Sequence, residues 1–146
     1  MSKFVELEPG VFVAGQIEAA DLEAVHRLGI RTVIDNRPDE EVDAPVSSAM
    51  IAQAAIARGM SFLYRPVWGF ELGEPGHEEA ARQWLSQAKE PVLLYCRSGR
   101  RSTILWAQAA VDRLGIDAVL AAAARAGVQA EEILLVLEER LDRVAA

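Results

Sequence analysis

The chain is poor in the residues that build covalent staples and metal cages. Its 146 residues include one cysteine and two histidines. A lone cysteine excludes an intrachain disulfide, and it excludes a structural zinc site built on cysteines. His26 and His77 stand far apart with no clustered ligands around them, so neither a metal nor another cofactor is expected. Long apolar runs are also missing. The longest, Ala118 to Ala124, is well short of the ~18 residues that span a bilayer. Residues 1–10 are neither basic nor apolar enough to read as a signal peptide, so a cytoplasmic, reducing location is expected, with no membrane partner. Positive charge is scarce: 15 Lys and Arg against 22 Asp and Glu give a formal net charge of −7. That balance argues against a general nucleic-acid binder, which usually carries a basic face.

What is present is an ordinary soluble composition, 51% hydrophobic and 25% charged, in a length that suits one domain with its own core. Strand patterns are read at Phe4–Glu6, Val11–Ala14, Thr32–Asp35, Ser61–Arg65 and Val92–Tyr95. Helical patterns are read at Ala19–Leu28, Ser47–Arg58, His77–Gln87, Thr103–Leu114, Asp117–Arg125 and Glu131–Val144. Gly29 and Gly59 close the first two of these. Asn36–Pro45 is a polar loop, and Pro66–Gly76 is a second loop rich in proline and glycine. Alternating strands and helices predict an α/β fold: a single domain over residues 1–146, with a mainly parallel central sheet flanked by helices. Ligands of such sheets bind beyond the carboxyl ends of the strands.

The scarce positive charge is concentrated at one such point. Cys96-Arg97-Ser98-Gly99-Arg100-Arg101-Ser102 runs from the strand ending at Tyr95 into the helix that begins near Ser102. A strand–loop–helix turn aims several amides at one centre, and the helix adds its positive dipole end. Gly99 permits the positive φ that a tight anion cradle needs. An arginine five positions after the cysteine can fold back and grip a tetrahedral oxyanion with two nitrogens. Ser102 offers a hydroxyl to the cysteine sulfur. Amides, dipole and guanidinium all favour the thiolate, so Cys96 is expected to be a reactive thiolate in an oxyanion site. The oxyanion-binding set is then Arg97, Ser98, Gly99, Arg100 and Arg101, with phosphate or sulfate as candidate occupants and phosphorus or sulfur as the atom attacked.

The loop resembles the active-site loop of rhodanese sulfurtransferases, which share its spacing. Protein tyrosine and dual-specificity phosphatases usually have one more residue between cysteine and arginine, and a histidine where this chain has Tyr95. The wider chain resembles the phosphatase side. Phe12-Val13-Ala14-Gly15-Gln16, Gly29-Ile30-Arg31-Thr32-Val33-Ile34-Asp35-Asn36-Arg37-Pro38, Gly59-Met60-Ser61-Phe62-Leu63-Tyr64-Arg65-Pro66-Val67 and the Cys96–Trp106 segment are similar to a bacterial phosphatase-like family. Members of that family also occur as a domain fused to beta-lactamase-hydrolase-like proteins, and they have the shortened loop. The likeness covers about the first 110 residues and, more weakly, residues 121–128. It implies a cysteine-phosphatase-like fold acting on a phosphorylated protein or small molecule. Cys96 is then the nucleophile, Arg101 and the loop amides stabilise the equatorial oxygens, and Ser102 helps expel the cysteine.

The family's general acid is an aspartate on a loop after an earlier strand. The matching loop here has none, so Glu71 is the candidate acid and Glu74 its alternative. Asp35 is a further candidate, expected rather to order its own loop by pairing with Arg37. His26 reads as a surface residue and His77 as part of a helix start. Trp84 and Trp106 fit core positions on helix faces, while Trp68 and Phe70 can wall an apolar leaving-group pocket. Ile133, Leu134, Val136, Leu137, Leu141 and Val144 make the last helix apolar on one side, which is expected to pack on the domain itself. Two other functions fit the loop: a sulfurtransferase carrying a persulfide on Cys96, and a non-catalytic oxyanion or phosphopeptide binder.

Overall fold

The computed structural model of the chain describes residues 3–145, with side chains as far as Arg140. Five strands form one sheet in the order β1-β2-β5-β3-β4: β1 is Val5–Glu8, β2 Val11–Ala14, β3 Thr32–Asp35, β4 Ser61–Tyr64 and β5 Val92–Tyr95. The β1–β2 pair is antiparallel and the other three pairings are parallel. The helices are α1 Leu22–Arg27, α2 Ser48–Ala57, α3 His77–Gln87, α4 Arg100–Leu114, α5 Ile116–Arg125 and α6 Ala130–Ala145.

β5 is the middle strand, and all four of its residues are buried. That matches its unbroken apolar run, since a parallel strand is covered on both faces. Alternation along the strands divides the core. Val92, Leu94 and Ile34 face a layer that includes Ile104, Leu105, Trp106, Val119 and Ile133 of α4, α5 and α6. Leu93, Tyr95 and Val33 face Leu22 and Val25 of α1 and Ile51 and Ala55 of α2. Helix α4 is apolar nearly all round because it lies in the thickest part of this core, with every residue from Arg101 to Gln108 buried. Trp106 is fully buried, and its Nε1 donates to Glu8 Oε2 at 2.6 Å. Trp84 packs at the edge of the same layer.

Ile133 and Val136 of α6 are buried against the domain, as expected, while Leu134 is partly exposed. The side chains of Leu141 and Val144 lie outside the described residues. The bounds of β2, β3, α3 and β5 match the sequence reading. Helix α4 does not: it begins at Arg100, not Thr103, because Gly99 turns the chain at φ +91° and the helix starts immediately after it. The expected strand at Phe4–Glu6 is shifted to Val5–Glu8. Among the described residues, no helix is long and apolar enough to cross a membrane.

Candidate active site

Three parallel strands, β2, β5 and β3, end side by side, and the loop Cys96–Gly99 leaves the central one. Its back is built by the segment after β2. The Gln16 amide donates to the Arg97 carbonyl at 3.1 Å, and the Cys96 amide donates to the Ala14 carbonyl at 3.4 Å. A Cβ at Gly15 would lie 3.0 Å from the Arg97 carbonyl oxygen, so a larger residue there would push the two backbones apart by a few tenths of an ångström. These bonds fix the loop between the end of β5 and the start of α4, the strand–turn–helix setting in which an anion-binding nest can form.

Cys96 sits on the floor of that nest, 1% exposed, and the Gly99 amide donates to its Sγ at 3.2 Å. Arg97 and Ser98 are exposed at the rim, where Ser98 Oγ accepts weakly from the Arg100 amide at 3.4 Å. The two remaining arginines of the motif part company. Arg100 turns away to α6, its Nε 2.5 Å from Glu132 Oε1, so only its backbone is left to the cradle. Arg101 turns inward and is 9% exposed.

Arg101 is held by a residue that sequence reasoning did not single out. Its Nη1 and Nη2 donate to the two carboxylate oxygens of Glu41 at 2.8 and 2.7 Å, and Nη1 also donates to the Val67 carbonyl at 3.0 Å. A guanidinium has five N–H donors. These contacts use both donors of Nη1 and one of Nη2. The pair left over, Nε–H and the second Nη2–H, is the parallel fork that fits two oxygens of a phosphate. Burial works against the charge of Arg101, but Glu41 and the nearby Cys96 sulfur outweigh it and raise its pKa. The Arg101 guanidinium in turn holds the Glu41 carboxyl below its usual range. Glu41 is itself steadied by Arg37, whose Nε lies 3.2 Å from Glu41 Oε1 and whose Nη1 donates to Gln16 Oε1.

Ser102 is fully buried, and its hydroxyl donates to Asn36 Oδ1 at 2.9 Å rather than to the cysteine sulfur. Asn36 was also missed as a site residue. Its amide donates to the Tyr95 carbonyl, its Nδ2 to the Arg65 carbonyl, and its own carbonyl accepts from the Val67 amide. One side chain and its backbone thus tie together the ends of β3, β5 and β4 and the first turn of α4. The sequence signal for it was the Asp35-Asn36-Arg37-Pro38 string. Glu41 had no signal beyond the acidic run Asp39-Glu40-Glu41.

Asp35 does order its own loop, though it accepts the Arg37 backbone amide at 2.8 Å instead of pairing with the guanidinium. It is 2% exposed, and burial pushes its pKa up to about 6. Tyr95 is its register partner on β5. The Tyr95 hydroxyl is buried beside the Asp35 carboxylate but makes no hydrogen bond of good geometry among the described residues. Burial first, and then the Asp35 charge, push the tyrosine pKa far up.

The two acid candidates lie on the loop between β4 and α3. Glu71 closes a 3-10 turn, Gly69–Glu71, with its Oε1 accepting the Trp68 amide at 2.8 Å, and Glu74 is exposed. Contrary to the expectation that no ligands cluster, the fold gathers Glu71, Glu74 and His77, with one potential ligand atom of each within 4.8 Å of the others. The Glu71–His77 approach is 3.8 Å, and the other Glu71 oxygen is taken by the Trp68 amide. His26 is exposed, as expected.

Residues 3–113 match the family described as beta-lactamase hydrolase-like protein, phosphatase-like domain. The chain belongs to this family. A beta-lactamase hydrolase-like protein of Agrobacterium fabrum is 30% identical over 104 residues, which is 71% of this chain and 24% of that protein. The chain therefore spans about a quarter of the length of that relative. Among solved structures, a candidate phosphatase of Neisseria meningitidis is 32% identical and superposes with a TM-score of 0.82, covering 96% of this chain and all of that one. TpbA of Pseudomonas aeruginosa, solved as a cysteine-to-serine variant in complex with phosphotyrosine, shares the fold at 17% identity and a TM-score of 0.64, covering 99% of this chain and 91% of that one. The α/β architecture is that of cysteine phosphatases, so in this phosphatase-like domain the loop spacing shared with rhodanese sits on a cysteine-phosphatase fold.

Proposed function

We propose that this domain hydrolyses phosphate monoesters through a cysteinyl-phosphate intermediate on Cys96. One observation carries the reading: a buried sulfur that receives the Gly99 amide lies close to the Arg101 guanidinium, which Glu41 and the Val67 carbonyl hold in place. In the first step the Cys96 sulfur attacks phosphorus and the bond to the ester oxygen breaks. That oxygen leaves with a proton from Glu71, or from Glu74 in its place. Water then attacks phosphorus while the same carboxylate takes its proton, the P–S bond breaks with its electron pair returning to the Cys96 sulfur, and inorganic phosphate departs. Arg101 and the amides of residues 97–101 stabilise the equatorial oxygens throughout, which is the positioning and electrostatic work that phosphoryl transfer demands. Ser102 serves the second step by steadying the departing sulfur, after its hydroxyl turns from Asn36. The substrate is a phosphorylated protein or small molecule met in a reducing compartment, where a lone thiol stays reduced.

The test is hydrolysis of para-nitrophenyl phosphate between about pH 5 and 7.5 by wild type and Cys96→Ser. Turnover that disappears in the variant establishes both the reaction and the nucleophile. No turnover by folded, reduced wild type sinks the reading. The spacing of four residues between Cys96 and Arg101 favours a second reading, sulfur transfer through a Cys96 persulfide. Release of thiocyanate from thiosulfate and cyanide decides that one. A protein that does neither, yet gains thermal stability from phosphate or sulfate, is an oxyanion-binding module.

A further inference from the structure

The loop between β4 and α3 carries an apolar feature that the chemistry above leaves unused. Phe70 is 80% exposed, more than any other large hydrophobic side chain among the described residues. Its ring stacks on that of Trp68, with centroids 6.3 Å apart and planes 18° from parallel. Trp68 is itself 37% exposed. Apolar surface left in water is unfavourable, and among the described residues no other exposed large hydrophobic is aromatic; Ile56 on α2 and Leu134 and Leu135 on α6 are aliphatic residues on helices.

The aromatic pair is built in. The Trp68 amide is held by Glu71, residues 69–71 form a 3-10 turn, and the carbonyl of Val67, one residue before Trp68, accepts from Arg101 Nη1. The platform thus begins one residue from Val67, whose carbonyl helps hold the Arg101 guanidinium in place. The sulfur lies on the floor of the cradle, so the ester group of a bound monoester points outward, toward the rim.

We propose that Trp68 and Phe70 are the specificity determinant of the site, a stacking platform for the leaving group that makes an aryl phosphate monoester the preferred substrate over an alkyl one. The inference rests on the phosphatase reading and deepens it. An aryl ring extends the stack at the 4.5–7 Å centroid spacing that aromatic pairs adopt. An alkyl chain has no π face to offer.

Aryl esters also have better leaving groups, so turnover alone does not isolate recognition. The deciding experiment is calorimetric binding of phenylphosphonate and methylphosphonate to Cys96→Ser, alone and combined with Phe70→Ala or Phe70→Leu. The expected result is tighter binding of phenylphosphonate and a phenyl-to-methyl affinity ratio that falls about 3- to 10-fold in both double variants, the size of one lost aromatic pair. Phe70→Leu keeps apolar area and removes the ring, so a ratio preserved in that variant overturns stacking. Equal binding of the two phosphonates by Cys96→Ser overturns the platform while leaving the anion site intact. Failure to bind either phosphonate overturns the platform together with the reading it rests on. A third ligand, a peptide bearing phosphonomethyl-phenylalanine, tells the source of the ring. Binding tighter than phenylphosphonate supports a phosphotyrosine platform, and equal binding supports a small aryl phosphate.

Discussion

Arg101 is useful to the site because three of its donors are already spent. A guanidinium with all five N–H groups free has many ways to meet a phosphate, and ordering it costs entropy at the moment of binding. Glu41 and the Val67 carbonyl remove that freedom in advance. Hydrogen bonds to charged groups contribute about 1.5–3 kcal/mol. Glu41→Gln keeps the shape but weakens the hold, and kcat/KM on an aryl phosphate is expected to fall about tenfold. Arg101→Lys replaces the planar fork with a point charge, and a loss of about 100-fold or more is expected, in kcat rather than KM. Steady-state kinetics on both variants check this. An unchanged kcat/KM in Glu41→Gln means that the Val67 carbonyl alone orients the arginine.

At the scale of elements, the site is a junction of strand ends, and Asn36 is its knot. Its Oδ1 takes the Ser102 hydroxyl and its Nδ2 reaches the Arg65 carbonyl, with Asn36 and Ser102 both fully buried. Asn36→Ala leaves the buried Ser102 hydroxyl and the Arg65 carbonyl without these partners. The expected destabilisation is about 2–4 kcal/mol in urea unfolding. A loss below about 1 kcal/mol counts against the knot. The neighbouring close approach makes a second prediction. In Gly15→Ala the new Cβ meets the Arg97 carbonyl at 3.0 Å, so the loop must shift and activity should drop further than stability does.

These contacts also show why the sequence was readable in some places and silent in others. Val92–Tyr95 reads directly as a buried central strand because burial on both faces demands an unbroken apolar run. The Cys96–Ser102 motif reads as an anion loop because its residue types sit adjacent in the chain. Arg101 and Glu41 are 60 residues apart, and nothing local in Asp39-Glu40-Glu41 says which carboxylate turns inward. The same holds for Arg100, which reads in the sequence as one of three loop cations, whereas α6 brings Glu132 to it in the fold. Periodicity finds elements, but partners across the fold depend on how those elements pack.

At the scale of the whole molecule, an acidic chain with a net charge of −7 has its pH response set by carboxylates that folding moves in opposite directions. Glu41 and Glu132 are lowered, chiefly by Arg101 and Arg100. Their contribution to stability is present above the unfolded carboxyl range and is lost as pH falls through the folded values. Asp35 runs the other way, because burial lifts it from 3.8 to about 6. Between those two values the native state holds a proton that the unfolded chain has released, so stability falls as pH rises through this window. The difference corresponds to about 3 kcal/mol once Asp35 is ionised in both states. Asp35→Asn removes the titration and still accepts the Arg37 amide through its Oδ1. Relative to wild type, the variant should therefore gain up to about 3 kcal/mol on going from about pH 4 to about pH 7.5, with most of the gain arising between about pH 4 and 6.5. Urea unfolding of both proteins at three or four pH values measures it. A difference that stays flat across the range means that Asp35 titrates alike in the folded and unfolded chain, and that the buried Asp35–Tyr95 pair is open to water.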